Sequence, residues 1–333
     1  MLDKHTGRQA IAPGEAANAL CAFRDIPVDF DAWDIDASYE DVVWPIDLLI
    51  ESRVVETGPH RVALLLRWRY EASTITQVLA LEADARRLDI DCVIDWHEHQ
   101  TLLKAAFPLA VRTDHSTAEI QFGHVSRPTH RNTSWNQARF ETSMQHWVDL
   151  SEPGFGVALL NDCKYGYDAQ GSTLRLTLVK SPVYPWPEAD QGEHRVRYAV
   201  LLHDGDLSAV HEAAEDFNLP LRILTSSGSS AKPMSVVTVS AGTATIEAVK
   251  RAADGEAIVV RLWEAAGRRG PSTLQFATHW QSIQRADLLE NPIAQCDARA
   301  GRLTLDLAPF EVATLLLGQP TGERASSGSA TQS

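Results

Sequence analysis

Residues 88–96, LDIDCVIDW, alternate almost strictly. Leu88, Ile90, Cys92 and Ile94 fall on one face, with Asp89, Asp91 and Asp95 on the other. Successive side chains on a strand point to opposite sides, so a period of two marks a half-buried strand. Outward from this stretch, 61–70 (RVALLLRWRY), 75–81 (ITQVLAL), 118–122 (AEIQF), 171–179 (GSTLRLTLV) and 196–202 (VRYAVLL) are short runs rich in β-branched, aromatic and leucyl residues. Strands at this spacing, with few helical stretches between them, predict an all-β sandwich. One helix is expected over 206–218, where Leu207, Val210, Ala213, Ala214 and Phe217 form a stripe that Pro220 ends.

The composition breaks at 225–232 (TSSGSSAK), so 225–234 reads as a linker. Six strand-like runs follow, at 235–239, 244–249, 257–263, 272–276, 302–307 and 312–317. The expected organisation is a large β-sandwich over 1–224, a small one over 235–318, and a polar, disordered tail over 319–333. Met1 opens directly on LDKHTGR with no capping element, as in a chain that begins partway into a fold.

Bulk properties exclude several classes. The 333 residues are 44 % hydrophobic, enough for real cores, and carry a formal net charge of -14 with no Lys/Arg cluster. A phosphate backbone is repelled by such a chain, so no nucleic-acid partner is expected. No apolar stretch approaches the roughly 18 to 20 residues of a membrane span, and the N-terminus lacks an apolar signal core. Cys21, Cys92, Cys163 and Cys296 are scattered without a CxxC pair. They read as free thiols of a reducing compartment, and the expected location is the cytoplasm.

Four stretches invite chemistry. In 96–99 (WHEH), His97 and His99 on a strand would share a face and offer zinc two ligands, although no third partner is spaced for it. The alternative is a polar strand face. The 127–132 stretch (RPTHRN), followed by Trp135 and Arg139, is either a ligand loop or a long connection whose side chains cap backbone groups. In 31–36 (DAWDID), carboxylates around Trp33 suit a sugar, and paired carboxylates suit glycoside hydrolysis; the plainer reading is a buried Trp with turn carboxylates. Finally, 157–168 (VALLNDCKYGYD) turns from an apolar run to Asn161, Asp162, Cys163, Lys164, Tyr165 and Tyr167. A hairpin from 157–160 to 173–179, with Gly166 at positive φ and an Asp162–Lys164 pair, would place this segment on a rim where ligand contacts gather.

As a set these stretches are familiar. DAWDID, WHEHQTLLKAAFP, RPTHRNTSWNQARFE, WVDLSEPGFGVALLNDCKYGYD, KSPVYPWPEADQGEHRVRYAV and LAPFEVATLLL occur in one order. Together they resemble the C-terminal half of the family 38 glycoside hydrolases, the retaining α-mannosidases. The NDCKYG wording is similar to the cytosolic and bacterial branch. The resemblance covers residues 1 to about 318.

The resemblance implies a large sandwich like the galactose mutarotase supersandwich, followed by a small β-sandwich. It also implies hydrolysis of α-mannosides in glycan catabolism, with a catalytic barrel that holds zinc, an aspartate nucleophile and an aspartate acid/base. None of the twelve histidines here is followed two positions later by Asp, as the barrel's His-x-Asp zinc motif requires. No alternating βα pattern could build the barrel. The chain is therefore expected to lack catalytic residues, metal ligands and cofactor of its own, with zinc belonging to the missing barrel, and to be inactive alone. Its expected partners are that barrel and a mannose-containing glycan. Asn161, Asp162, Lys164, Tyr165, His130 and Arg131 are the residues expected on the rim of the substrate cleft. The rival expectation is a freestanding carbohydrate-binding or structural β-sandwich, displaying Trp33, Trp44, Trp135 or Trp186.

Overall fold

A computed structural model describes residues 1–225 and 235–324. It divides into two compact units, Met1–Leu221 and Arg222–Ser333. Beyond Thr225, the expected linker lies outside the described residues, as does the expected tail from 325 onward.

In the first unit a nine-stranded and a six-stranded antiparallel sheet enclose one apolar core. The nine strands run in the order Gly123–Pro128, His115–Ile120, Trp147–Glu152, Phe155–Asn161, Gly192–His203, Arg87–Trp96, Ser73–Glu82, Arg61–Tyr70, Leu49–Thr57. The six run Thr142–Ser143, Gly166–Gln170, Thr173–Lys180, Thr101–Pro108, Ala19–Arg24, Val43–Pro45. The alternation of LDIDCVIDW is read out faithfully: Ile90, Cys92, Ile94 and Trp96 are buried in the core while Asp95 is exposed. Leu103, Ala105 and Phe107 meet them from the smaller sheet.

The expected hairpin between 157–160 and 173–179 does not form. Phe155–Asn161 is flanked by Trp147–Glu152 and Gly192–His203 in the large sheet, whereas Thr173–Lys180 belongs to the small one. The apolar run is continuous because both of its faces are covered. Val157 and Leu159 point into the inter-sheet core, and Ala158 and Leu160 lie under a helix on the outer face. Residues 162–165 therefore cross from one sheet to the other. The 118–122 run also ends early, at Ile120, because Phe122 adopts a left-handed φ of 52° in a turn.

The covering helix is Leu207–Asn218, with the Asp206 side chain accepting from the Ser208 N–H at 2.9 Å as its N-cap. Val210, Ala214 and Phe217 pack on Trp147, Ala158, Leu160, Ala199 and Leu201. A polar pin accompanies this contact. The Glu119 carboxylate accepts from the His146 N–H at 2.7 Å and lies 3.1 Å from His146 Nδ1 and 3.5 Å from His211 Nδ1 on the helix.

Inside the core three side chains close a ring. Gln77 Nε2 donates to the Tyr198 hydroxyl at 2.7 Å, that hydroxyl donates to Asn18 Oδ1 at 2.7 Å, and Asn18 Nδ2 donates to Gln77 Oε1 at 2.9 Å. Gln77 and Tyr198 are fully buried, so each polar group finds the partner that burial demands.

In the second unit, a three-stranded sheet (Val237–Ala241, Gly270–Phe276, Arg302–Leu307) faces a five-stranded one (Ala244–Arg251, Ile258–Glu264, Val312–Leu317, Ile283–Ala286, Pro292–Gln295). Val260, Leu262, Leu274, Phe276 and Leu315 form its core. Buried Glu264 organises one corner, accepting from Thr243 Oγ1 and from the backbone N–H groups of Ala266, Arg268 and Phe310 at 2.6 to 3.1 Å. Part of the expected tail is ordered: Pro320–Arg324 pairs with Thr278–Trp280, because Gln319 is already held by the Gln281 N–H. Polarity of side chains did not prevent pairing, which uses only the backbone.

The Glu119 pin has a measurable pH signature. Burial alone would raise the carboxyl, but the hydrogen bonds from His146 and His211 prevail and draw it from 4.5 down to about 2. A depressed carboxyl stabilises the fold fully above its unfolded value, near 4.5, and that stabilisation fades as pH falls toward 2. The difference corresponds to about 3 kcal/mol. Chemical unfolding of Glu119→Gln should show a loss of this order at neutral pH and a flatter acid limb than the parent.

Candidate functional site

The functionally suggestive segment 161–168 begins at Asn161, which is fully buried. Its Nδ2 donates to the Gln145 carbonyl at 2.9 Å and its Oδ1 accepts from the Lys164 N–H at 2.9 Å. Asn161 thus shapes the inter-sheet crossing from within. Asp162 accepts from the Arg197 N–H at 3.0 Å, and the expected Asp162–Lys164 ion pair is not formed. The Cys163 thiol is pushed up to about 11 by desolvation and by Asp162, so it is no thiolate nucleophile at neutral pH. Lys164 is half-buried and Tyr165 is exposed.

Gly166 does not adopt the expected positive φ. A Cβ there would meet Glu141 Oε1 at 3.0 Å and the Thr177 Cβ at 3.3 Å, so glycine serves a close approach instead. After it, Tyr167 and Asp168 turn inward and are buried.

Asp168 leads into a charge network that sequence reading did not anticipate. Lys104, at 0 % exposure in the strand Thr101–Pro108, donates to Asp168 Oδ2 at 2.8 Å and to Glu141. Arg175 Nε donates to Asp168 Oδ1 at 2.7 Å, and Arg175 Nη2 to Glu40 Oε1 at 2.6 Å. Arg131 grips both oxygens of Glu40. The Tyr39 hydroxyl reaches Asp168 at 3.3 Å, and its ring lies 4.9 Å from the Lys104 ammonium. Three cations (Lys104, Arg175, Arg131) face three carboxylates (Asp168, Glu141, Glu40). Burial pushes the Glu141 carboxyl up despite Lys104. For Glu40 burial acts in the same sense but is overcome by Arg131 and Arg175, which hold it low.

The expected rim residues are not gathered at one place. Gly171 N–H donates to the Thr129 carbonyl at 2.9 Å, so His130 sits beyond the far end of Gly166–Gln170. Tyr165 sits at the near end, about 17 Å of extended strand away. The 127–135 and 161–168 segments are linked by Arg127, which donates to the Tyr167 hydroxyl at 3.1 Å, and by Arg131, which joins the network through Glu40. His130 Nδ1 accepts from the Asn132 N–H at 3.4 Å, and Thr133 caps the short helix Ser134–Gln137. This loop therefore behaves as the self-capping connection.

The other candidates resolve similarly. His97 and His99 lie in the turn after Arg87–Trp96 rather than in a strand, and His97 Nε2 pairs with Asp95 at 2.9 Å. Among the described residues no group of three or more His, Cys, Asp or Glu is placed to hold a metal ion. In 31–36 the carboxylates do serve turns: Asp31 accepts from the Val183 and Tyr184 N–H groups, and Asp36 from the Val28 N–H. Trp33, however, is 70 % exposed rather than buried. One signal for the network was available, since Lys104 interrupts the apolar run TLLKAAF.

If the network carries this corner, Lys104→Met leaves Glu141 without a cation and Asp168 with Arg175 alone. We expect a loss of about 3 to 5 kcal/mol. Adding Asp168→Asn and Glu141→Gln should recover much of it, as measured by urea unfolding. Full stability in the single variant would refute the role.

Comparison with known proteins supplies what the geometry alone does not. The family 38 glycosyl hydrolase C-terminal domain matches residues 1–188, and the family 38 C-terminal beta sandwich domain matches 243–315. Human "Alpha-mannosidase 2C1" is 38 % identical over 322 residues, which is 94 % of this chain and 31 % of the human protein. "Alpha-mannosidase" of Saccharomyces cerevisiae is 29 % identical over 351 residues, covering 95 % of this chain and 32 % of that protein. The crystal structure of an alpha-mannosidase from Enterococcus faecalis V583 superposes with a TM-score of 0.80 at 19 % identity, over 95 % of this chain and 40 % of that one. This chain spans about a third of the length of these curated relatives. By the extent of these matches, it belongs to glycosyl hydrolase family 38, and corresponds to the C-terminal β domains of its α-mannosidases.

Proposed function

We propose that this chain is the supporting β portion of a retaining, zinc-dependent α-mannosidase, and that it hydrolyses nothing alone. The observation that carries the proposal is the match itself: 94 % of this chain aligns with only 31 % of a mannosidase. The chemistry of the assembled enzyme is cleavage of α-mannosides through a covalent glycosyl-enzyme intermediate formed between two carboxylates. This chain's own residues do not fit the zinc, since its described His, Cys, Asp and Glu residues form no group of three that could ligate it. The acids of the network, Asp168, Glu141 and Glu40, are also engaged with cations, and none is free to act as nucleophile or general acid. Zinc and the catalytic carboxylates are therefore assigned to a catalytic barrel acting as partner, with a mannose-containing glycan as substrate. Lys164 and Tyr165, the accessible members of the crossing segment, are the residues proposed to border its cleft.

No helix among the described residues is long and apolar enough to cross a membrane, and Cys21, Cys92, Cys163 and Cys296 are free. These features support glycan catabolism in the cytoplasm; recovery of the protein from the medium on cell fractionation would count against it.

The test is hydrolysis of a 4-nitrophenyl α-mannoside. We expect none from the purified chain, and hydrolysis on adding the separately produced remainder of human alpha-mannosidase 2C1, itself inactive alone. Chelator-sensitive hydrolysis by the chain by itself would overturn the reading.

A second reading is favoured by one observation. Trp33, Trp44, Trp135 and Trp186 are 70, 41, 78 and 63 % exposed, and open indole faces suit stacking on pyranose rings. A freestanding carbohydrate-binding module would show indole fluorescence saturating with mannooligosaccharide, and lose it in a Trp→Ala variant.

A further inference from the structure

Residues 25–50 (DIPVDFDAWDIDASYEDVVWPIDLLI) combine two properties that rarely coexist. The segment holds eight Asp and Glu and no Lys or Arg. Yet Val28, Phe30, Trp33, Trp44, Leu48 and Ile50 are 85, 68, 70, 41, 56 and 50 % exposed. So many exposed apolar side chains in one short segment are uncommon on a soluble monomer and mark contact surfaces.

The display is held in place. The Trp33 and Asp34 N–H groups donate to the Phe30 carbonyl at 2.7 and 2.9 Å, and Val28 N–H donates to Asp36 at 3.0 Å. Asp31 ties the turn to the backbone of Val183 and Tyr184. Val43–Pro45 pairs with the strand Ala19–Arg24 and is the last strand of the six-stranded sheet, while Leu49–Thr57 is the last strand of the nine-stranded sheet. Only residues 46–48 separate them, so both outer strands flank the same side of the sandwich, each with an unpaired edge.

The acids of the segment divide in two. Asp25, Asp31, Asp34, Asp36 and Glu40 are engaged internally. Asp29, Asp41 and Asp47 form no side-chain hydrogen bond or ion pair with the described residues, and present uncompensated charge around the apolar patch. A pyranose stacks on aromatic faces and gains little from Val28, Leu48 and Ile50. A second copy would bring a like-charged rim against this one, which costs energy at each close pair. What fits is an apolar protein surface rimmed by Lys and Arg. The length that relatives carry outside the matched segment, about two thirds of the human protein, supplies a candidate body to present it.

We infer that 25–50 is the docking face for the remaining portion of the α-mannosidase polypeptide, which meets it with an apolar centre and a basic rim. The inference rests on the function proposed above and adds where the partner binds. To test it, the 333-residue chain is titrated by calorimetry with the separately produced remainder of human alpha-mannosidase 2C1. Two double variants are compared with the parent, Trp33→Ser with Leu48→Ser, and Asp29→Lys with Asp47→Lys. Each should weaken binding about tenfold or more, with unchanged unfolding midpoints. The weakening in the charge variant should shrink at high salt. Ile293→Ser, 66 % exposed in the second unit, should bind as the parent does. Parental affinity in both double variants overturns the surface, even if the mixture hydrolyses α-mannosides and the proposed function stands. A mixture that binds but never hydrolyses sinks the function instead. Absence of binding by the parent, a parental dimer that the serine variant splits, or saturable mannooligosaccharide binding lost in that variant each overturns the docking assignment.

Discussion

The larger sandwich is organised around a charge placed where charge is most costly. An isolated ammonium at the depth of Lys104 would carry a desolvation penalty of several kcal/mol, so the chain must deliver anions to it. Asp168 comes from the far side of the inter-sheet crossing and Glu141 from the connection that follows Ser134–Gln137. Those acids draw in Arg175, Glu40 and Arg131, and the cluster balances at three charges of each sign. Several odd features then share one cause. Glycine suits position 166 because a Cβ there would press on Glu141 and Thr177, and Tyr39 faces inward with its hydroxyl toward Asp168. Such a cluster contributes little net stability compared with an apolar filling, but it admits few alternative arrangements.

This arrangement separates two tasks. Within the network, polar groups satisfy one another and are withdrawn from chemistry. On the side formed by the two outer strands, apolar groups lack such mutual satisfaction and face outward. The network's acids are committed to cations, while the exposed apolar groups of 25–50 stand beside Asp29, Asp41 and Asp47, unpaired among the described residues, in keeping with the docking role inferred above. That division accords with a chain that aligns with a third of a hydrolase.

How much of this was legible in sequence depended on the range of the cause. The strands of 61–70 and 88–96 were readable because alternation is local, and the helix after Asp206 because its stripe and cap lie within one segment. The run 157–160 was legible as a strand but not as to its partner. Which sheet it joins is decided by Trp147–Glu152 and Gly192–His203, and continuous burial erases the alternation that would show its faces. Lys104 stood out in an apolar run, but its partners lie 37 and 64 residues away. Trp33 was misplaced because a tryptophan between acids has the same composition whether it faces in or out. The order of whole blocks such as NDCKYG carried the family, which no single spacing could.

The ring of Asn18, Gln77 and Tyr198 has a consequence for how the fold is reached. Its members come from 180 residues of chain and three places, a loop and two strands of the large sheet. Apolar side chains tolerate a strand sliding by two residues, since the same face stays buried. The ring does not, because any slip strands the Gln77 amide and the Tyr198 hydroxyl in a dry interior. It therefore acts as a proofreading lock on strand registry, closing only when the pairing of Ser73–Glu82 and Gly192–His203 through Arg87–Trp96 is correct.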